Sequence, residues 1–190
     1  MGEIKSSSEA NNMQITVERA TPDDAEAISE LLRVTWQATY PNDKAGISRE
    51  DIRLRTEGNN GERIPQNIAN WRKRIETDDG TVAVFVARES GKVVGMAAPG
   101  IIEGRRRIGA MYVLPDVQGK GIGSQLMEKA LAWHGREEDI YLLVASYNDN
   151  AIKFYRRFGF VQTDTAVVDN GNVYGNTHIP EVEMVLKAKC

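Results

Sequence analysis

The chain has 190 residues, of which 41% are apolar and 27% charged, with a formal net charge of −3. Its apolar runs reach only about six residues, whereas a membrane span needs about 18, and its start lacks the apolar core of a secretory signal, so we expect neither a membrane protein nor a secreted one. The single cysteine, Cys190, excludes an internal disulfide and a multi-cysteine metal site, and the acidic balance disfavours a general nucleic-acid binder, so a cytoplasmic protein is expected.

The N-terminal part divides into a polar tail and the start of a folded domain. Residues 1–13 are predicted to be a disordered tail, and residues 14–190 to form one domain. Weak alternation over residues 14–20 predicts a first strand. Thr21 is a favoured N-cap and Pro22 a favoured first helical residue, so a helix is predicted to follow.

The composition changes where this helix ends, at Pro41. Residues 41–80 contain only nine apolar side chains in forty, so this stretch is not expected to form the core. We predict one or two exposed helices, interrupted at residues 58–61, that form a polar lobe over the domain near the acceptor site.

The second half of the chain is predicted to contain several strands first, and then strands that alternate with helices. Residues 81–87, 93–98 and 106–114 predict an antiparallel meander with a hairpin turn at residues 89–92. A helix at 122–133 and a strand at 140–145 then predict a βαβ unit, hence a parallel pair. The remaining predicted elements are a helix at 150–158 and strands at 161–168 and 182–187. The predicted class is α+β, a mixed sheet of about seven strands with helices on both faces.

The segment before the 122–133 helix carries the chemistry. Gly119, Gly121 and Gly123 alternate there, and such a segment can present successive backbone N–H groups at a helix N-terminus to one phosphate. A P-loop would need a glycine in place of Leu114, and the dinucleotide fingerprint a glycine in place of Ser124. Both are therefore disfavoured, and a glycine-rich turn without a ligand is the alternative.

Two blocks of the sequence together resemble the GNAT superfamily of N-acetyltransferases. The first block is Gln118-x-x-Gly121-x-Gly123, behind a strand that ends Tyr112-Val113-x-Pro115. The second block is Asn148-x-x-Ala151-x-x-Phe154-Tyr155-x-x-x-Gly159-Phe160. The resemblance covers about residues 16–187 and is strongest over residues 111–160. It implies the acyl-CoA N-acyltransferase fold and acetyl-CoA as the acetyl donor.

The resemblance also implies roles for individual residues. The strand residues that would bind the pantetheine arm are Met111, Tyr112 and Val113, and a backbone N–H near Val113 would meet the developing oxyanion. The residues that would hold the pyrophosphate are Gln118, Gly119, Lys120, Gly121, Ile122, Gly123 and Ser124. Asn148 would contact the pantetheine arm, cap its helix, or do both. Tyr155 would be the general acid beside the thioester sulfur, or a positioning or packing residue.

The sequence leaves the general base open. An alkylamine of pKa about 10.4 is neutral in about one molecule in 2,500 at pH 7, so some group or pocket must remove its proton. Many relatives carry a glutamate where this chain has Arg107, which leaves a water relay, Glu103 or an acid from residues 41–80. Arg105-Arg106-Arg107 is read as a solvated strand edge, with contact to an anionic acceptor as the alternative.

The resulting hypothesis is an N-acetyltransferase that moves the acetyl group of acetyl-CoA to a primary amine of a small molecule or polyamine, by direct attack in a ternary complex. Trp36 and Tyr40 are candidate acceptor contacts, with core packing as the alternative. A protein or peptide N-terminal acetyltransferase and a non-catalytic acyl-CoA binding module are the competing hypotheses. We expect no metal, because His134 and His178 have no partner at ligand spacing, and no nucleic-acid or membrane partner. The sequence leaves the oligomeric state open, with a homodimer as one candidate.

Overall fold

The structure of the protein is a computed structural model. It describes residues 15–77, 79–165, 168–169 and 178–189. The predicted tail at residues 1–13 and Cys190 lie outside the described residues. The strands are β1 (Ile15–Arg19), β2 (Phe85–Glu89), β3 (Lys92–Ile102), β4 (Arg105–Val113), β5 (Ile140–Ala145), β6 (Val161–Gln162), β7 (Val168–Asp169) and β8 (Pro180–Leu186). The helices are α1 (Ala25–Thr39), α2 (Arg49–Glu57), α3 (Arg63–Glu76), α4 (Ile122–His134) and α5 (Asp149–Arg157).

The strands form one mixed sheet in the order β1-β2-β3-β4-β5-β8-β6, and β7 also pairs with β8. The first four strands are an antiparallel meander, β4 and β5 are parallel, and β8 runs antiparallel to β5. The crossover between the two parallel strands contains α4, as a βαβ unit requires. The predicted fold class, with about seven strands in one row, is confirmed.

Helices cover both faces of the sheet, as predicted. Along β2 the side chains alternate, because Phe85 and Ala87 pack with a cluster that includes residues of α4 and α5, whereas Val86 packs with a cluster from α1. Leu126 of α4 and Ile28 of α1 are fully buried in these two clusters. Burial of each such side chain stabilises the fold by about 1.5–3 kcal/mol relative to its exposure.

The start of β2 differs from the prediction, which placed a continuous strand over residues 81–87. Pro99 on β3 has no N–H, so Ala83 donates to the Pro99 carbonyl at 3.0 Å but receives no bond in return. Val82 forms only an isolated bridge with Gly100, and regular pairing begins at Phe85. The predicted strand at 161–168 is also interrupted, because residues 163–165 do not belong to a β-strand. Residues 166–167 of this prediction lie outside the described part of the chain.

The polar stretch between residues 41 and 80 contains two helices, α2 and α3. This stretch was not expected to form the core, and it nevertheless contributes buried side chains, because Ile47 and Ile52 are each only 1% exposed. Trp71 and Ile75 of α3 also pack against the cluster on the α1 face. A few apolar side chains in a polar segment therefore anchor these helices over the sheet.

A bulge in β4 separates the two parallel strands. Pro99 pairs with Ile108 and Ala98 with Ala110, so Gly109 has no partner on β3 and forms a β-bulge. Next to the bulge, the pairing of β4 with β5 ends at Arg107 and Tyr141. Beyond this point the strands diverge and leave a gap in the sheet.

His134 fixes β4 at the junction where the strands part. The side chain is 2% exposed, and its Nε2 lies 2.9 Å from the Arg107 carbonyl oxygen. Burial lowers the pKa of His134, so the ring is neutral at pH 7 and carries the Nε2 proton that it donates to this carbonyl.

Candidate active site

A cavity of about 860 Å³ opens where β4 and β5 part, a volume typical of small-molecule sites. Its wall contains these residues predicted to form the site: Trp36, Tyr40, Met111, Tyr112, Val113, Gln118, Gly119, Gly121, Ile122, Gly123, Ser124, Asn148 and Tyr155. Lys120 is the predicted site residue whose side chain lies elsewhere, because its Nζ pairs with Glu89 at 2.8 Å.

The glycine segment forms an open cradle at the N-terminus of α4. Gly119 and Gly121 have φ angles of +82° and +81°, which residues with a Cβ rarely adopt. A Cβ added to either would meet no atom within 4 Å, so the space beside the backbone is free. The first N–H groups of α4 have no partner within the helix and carry the positive end of its dipole. This geometry fits a phosphate group.

Gln118 holds the segment to the end of β4. Its Nε2 donates to the Val113 carbonyl oxygen at 3.0 Å, and Gly119 follows it directly in the chain. Gly123 has a different role, because a Cβ there would lie 3.3 Å from the Phe154 ring. The segment is therefore tied to β4 at one end and packed against α5 at the other.

Asn148 is the N-cap of α5. Its Oδ1 accepts a hydrogen bond from the Ala151 N–H at 3.1 Å, and both residues line the cavity. The capping role is thus observed, and contact with a ligand stays a prediction for the remaining polar atoms of this side chain.

Tyr155 projects from α5 and is 9% exposed. Its ring packs in T-shaped geometry on Phe154 and Phe160, with ring centroids 5.4 and 6.0 Å apart. Burial raises the pKa of the Tyr155 hydroxyl, and the nearby Tyr112 hydroxyl raises it further. Tyr155 is therefore protonated at pH 7.

Aromatic residues from three elements converge on the face of the gap that α1 covers. The hydroxyls of Tyr40 and Tyr112 lie 3.0 Å apart, and the Tyr147 hydroxyl donates to the Tyr40 carbonyl at 2.9 Å. The Trp36 ring lies 4.6 Å from that of Tyr40 between centroids. The Arg55 guanidinium stacks 4.3 Å above the Trp36 ring centroid. The helix α2 thereby contributes to the same wall.

Basic residues outnumber acidic residues on the wall of the cavity. Among the described residues that line the cavity, Glu181 of β8 is the one acid, the cationic residues are Arg55, Arg107 and Arg157, and His178 is a further lining residue. The pKa of Tyr147 is raised to about 12, first by burial and then by the charge of Glu181. Sequence reasoning missed Glu181, which reads as an ordinary residue of the last strand.

The base candidates considered from the sequence lie outside the cavity wall. Glu103 sits in the turn between β3 and β4, its side chain is 77% exposed, and it pairs with Arg107 at 3.2 Å. No acid of residues 41–80 is among the described lining residues, to which that stretch contributes Arg55. Arg105 has a side chain that is 38% exposed, and it also binds Glu183 at 2.8 Å and stacks 3.5 Å above the Tyr141 ring.

No group of three or more His, Cys, Asp or Glu side chains could hold a metal ion within the described part of the chain. None of the helices described is long and apolar enough to cross a bilayer.

Comparison with known proteins agrees with this geometry. A family model described as an acetyltransferase (GNAT) domain matches residues 80–162. An uncharacterized N-acetyltransferase of Methanocaldococcus jannaschii is 37% identical over 90 residues, which are 42% of this chain and 39% of that protein. Mycothiol acetyltransferase of Mycolicibacterium gilvum is 39% identical over 71 residues, 31% of this chain and 23% of that protein. The matches thus span less than half the length of these curated relatives.

Solved structures share the fold over nearly the whole chain. PaiA N-acetyltransferase of Thermoplasma acidophilum, solved with coenzyme A, superposes with a TM-score of 0.70 at 22% identity over 92% of this chain and 99% of that one. YncA of Salmonella typhimurium, solved with acetyl-CoA, gives a TM-score of 0.62 at 21% identity over 92% of this chain and 94% of that one. The acyl-CoA N-acyltransferase fold is confirmed, and within it residues 80–162 are similar to the acetyltransferase (GNAT) domain model.

Proposed function

We propose that this protein transfers the acetyl group of acetyl-CoA to a primary amine, by direct attack while both substrates are bound. The observation that carries the proposal is that one cavity runs through the gap between β4 and β5 and joins the glycine cradle to the aromatic wall. The donor would lie along the cradle, and the acceptor would approach from the aromatic side. The names of the relatives and the coenzyme A and acetyl-CoA bound to neighbouring structures support the donor.

Backbone groups would hold the donor. The N–H groups around Gly119 and Gly121 would bind the pyrophosphate, with the α4 dipole adding to the attraction. Past Arg107, β4 pairs only with β3, so the backbone of Met111 and Val113 would bind the pantetheine arm on the side where β5 has diverged. A binding mode based on backbone dipoles explains how a chain of net charge −3 could bind a polyanion.

Side chains and one N–H group would assist the acetyl transfer. A backbone N–H near Val113 would stabilise the charge that develops on the thioester oxygen. The departing thiolate, of pKa about 8.5, is a fair leaving group, and Tyr155 is in the protonated state that a general acid requires. Because its raised pKa lies above that of the thiol, Tyr155 is too weak an acid to supply a net proton to the sulfur. We therefore assign it a hydrogen bond to the sulfur and a proton relay, in which it is reprotonated as it donates.

The proposed acceptor is a small molecule with one ammonium group. Glu181 offers one negative charge, and the wall also contains the rings of Tyr40 and Trp36, the latter with the Arg55 guanidinium stacked on one face. The residues Arg55, Arg107 and Arg157 line the same cavity, and this excess of basic residues would disfavour a second ammonium. We therefore favour a monoamine over a polyamine, and a peptide N-terminus is the alternative acceptor.

Two measurements test this function. Acetyl-CoA should raise the melting temperature of the protein, and thiol release from acetyl-CoA should be faster with benzylamine than with spermidine or an unblocked hexapeptide. Absence of a thermal shift would reject the donor. A thermal shift without thiol release for any amine would favour an acyl-CoA binding module, and preference for the hexapeptide would favour an N-terminal acetyltransferase.

A further inference from the structure

The last strand places one carboxylate at the acceptor side of the cavity. Glu181 pairs with Ala145 at the end of β5, and the neighbouring bond from the Ser146 N–H to the Pro180 carbonyl, at 2.8 Å, fixes this end of β8. Val182 packs in the cluster on the α4 side of the sheet. Because side chains alternate along a strand, Glu181 faces the opposite side, where α1 and its aromatic residues lie.

Three tyrosines lie close enough to this carboxylate to interact with its charge. Burial raises the pKa values of Tyr40, Tyr112 and Tyr147, and the negative charge of Glu181 raises each of them further. Tyr112 is on β4, directly between Met111 and Val113, whose backbone is assigned to the donor. Glu181 therefore lies near the meeting point of the donor and acceptor sides, in an aromatic surround that suits an ammonium group.

We propose that Glu181 binds the ammonium group of the acceptor and takes its proton, which makes it the general base that the β4 strand lacks. This inference rests on the proposed function, since it needs acetyl-CoA as the co-reactant. The position usual for that base holds Arg107, and Glu103 lies outside the cavity wall.

The proton and electron balance is complete with the groups named. Glu181 takes one proton from the ammonium, and the neutral nitrogen uses its lone pair to form the C–N bond at the thioester carbonyl. As the C–S bond breaks, its electron pair leaves with sulfur. The second nitrogen proton reaches that sulfur through Tyr155, which donates its own proton and is reprotonated. Glu181 then releases its proton to water, so the products are the amide, free coenzyme A and one proton.

The test compares Glu181→Gln with Glu103→Gln, which removes the acid outside the cavity. With benzylamine, which is cationic at pH 7, Glu181→Gln should lower kcat by at least about 100-fold, the usual size of a general-base contribution. Glu103→Gln should stay within about twofold of the parent. The thermal shift caused by acetyl-CoA should be the same in all three proteins, because donor binding does not involve Glu181.

A second acceptor separates proton removal from a structural role. An arylamine such as aniline is neutral at pH 7 and needs no base before attack, so Glu181→Gln should lose much less activity with aniline than with benzylamine. Equal losses with both amines, or retention of benzylamine turnover within about twofold, would overturn the assignment. If Glu181→Gln fails to fold, Glu181→Asp keeps the carboxylate and should show the same ordering of losses. A parent protein that binds acetyl-CoA but acetylates neither amine would refute the proposed function itself, and the role of Glu181 with it.

Discussion

The two sides of the cavity are formed by different kinds of group, backbone on one side and side chains on the other. The proposed donor side is a continuous backbone segment, in which Gly119 and Gly121 leave free space beside the N-terminus of α4. The proposed acceptor side is made of side chains from separate elements, such as Trp36 on α1, Tyr112 on β4 and Glu181 on β8. Backbone N–H groups recognise a phosphate whatever the neighbouring side chains are, whereas an acceptor is recognised by the side chains themselves. Donor binding and acceptor choice should therefore respond to different substitutions.

The largest effect on the donor side is expected from Gly121→Leu. A side chain at this position would project into the free space proposed for the pyrophosphate and would also strain a residue with φ of +81°. We expect acetyl-CoA binding to weaken by at least about 100-fold in calorimetric titration, equivalent to about 2.8 kcal/mol.

Gly104→Leu is the matched control for this change. Gly104 lies in the turn between β3 and β4, has φ of +73°, and likewise has no atom within 4 Å of an added Cβ. It should carry a similar conformational cost of about 1–2 kcal/mol but leave acetyl-CoA binding unchanged. Equal loss of binding in both variants would mean that strain, and not occupation of the cradle, explains the effect.

Tyr155→Phe tests the point where the two sides meet. Removing the hydroxyl should lower kcat by about 10- to 100-fold through loss of the hydrogen bond to the departing sulfur, with little change in the KM for acetyl-CoA. Steady-state thiol release measures both constants. A rise in the KM for acetyl-CoA at unchanged kcat would show that Tyr155 only packs against the donor.

Trp36→Leu should show the opposite pattern to Gly121→Leu. Loss of the ring removes a contact with the acceptor cation, worth about 0.5–1 kcal/mol, so the KM for benzylamine should rise by about two- to fivefold. The KM for acetyl-CoA should not change, because no donor-binding group is altered. A parallel rise in both KM values would contradict the separation of the two sides.

The smallest effect on activity is expected far from both sides, at Asp24→Asn. Burial alone would raise the pKa of Asp24, but hydrogen bonds from the Thr21 N–H and from Arg88, at 2.7 Å, outweigh it and lower this pKa. A lowered pKa means that the carboxylate stabilises the fold above its unfolded pKa of about 3.9 and that this stability is lost as the pH falls through the folded value.

Denaturant unfolding at several pH values checks this prediction. At pH 7, Asp24→Asn should lower the free energy of unfolding by about 1–3 kcal/mol, and the difference from the parent should shrink as the pH falls below about 4. Activity per folded molecule should be unchanged. A difference that is the same at pH 7 and at acid pH would show that the charge of Asp24 does not contribute.

The parts that the sequence predicted well are those fixed by local patterns. The glycine spacing, the cap at Asn148 and the βαβ order each depend on residues close together in the chain, and all three are present in the structure. The start of β2 was misplaced because Pro99, which lies on the neighbouring strand β3, has no N–H to donate to it. This effect acts between strands, so the residues near the start of β2 do not reveal it. Local apolar composition could not show that the pairing stops there.

Glu181 was missed for a related reason. Its place in the cavity depends on where β8 enters the sheet and on the divergence of β4 from β5, and neither is visible in the residues around it. The pairing of β8 with β5 brings Glu181 near Tyr112 although 69 positions separate them in the sequence. A glutamate in alternation with buried apolar residues is only a weak signal of such a position.

The most direct test of the central claim is to incubate the protein with isotope-labelled acetyl-CoA and benzylamine and to analyse the products by mass spectrometry. Direct transfer to a bound primary amine predicts N-acetylbenzylamine that carries the labelled acetyl group, formed at a rate that depends on the protein and matches the release of free coenzyme A. Coenzyme A release with the label recovered as acetate, or no labelled product while acetyl-CoA is bound, would contradict the account.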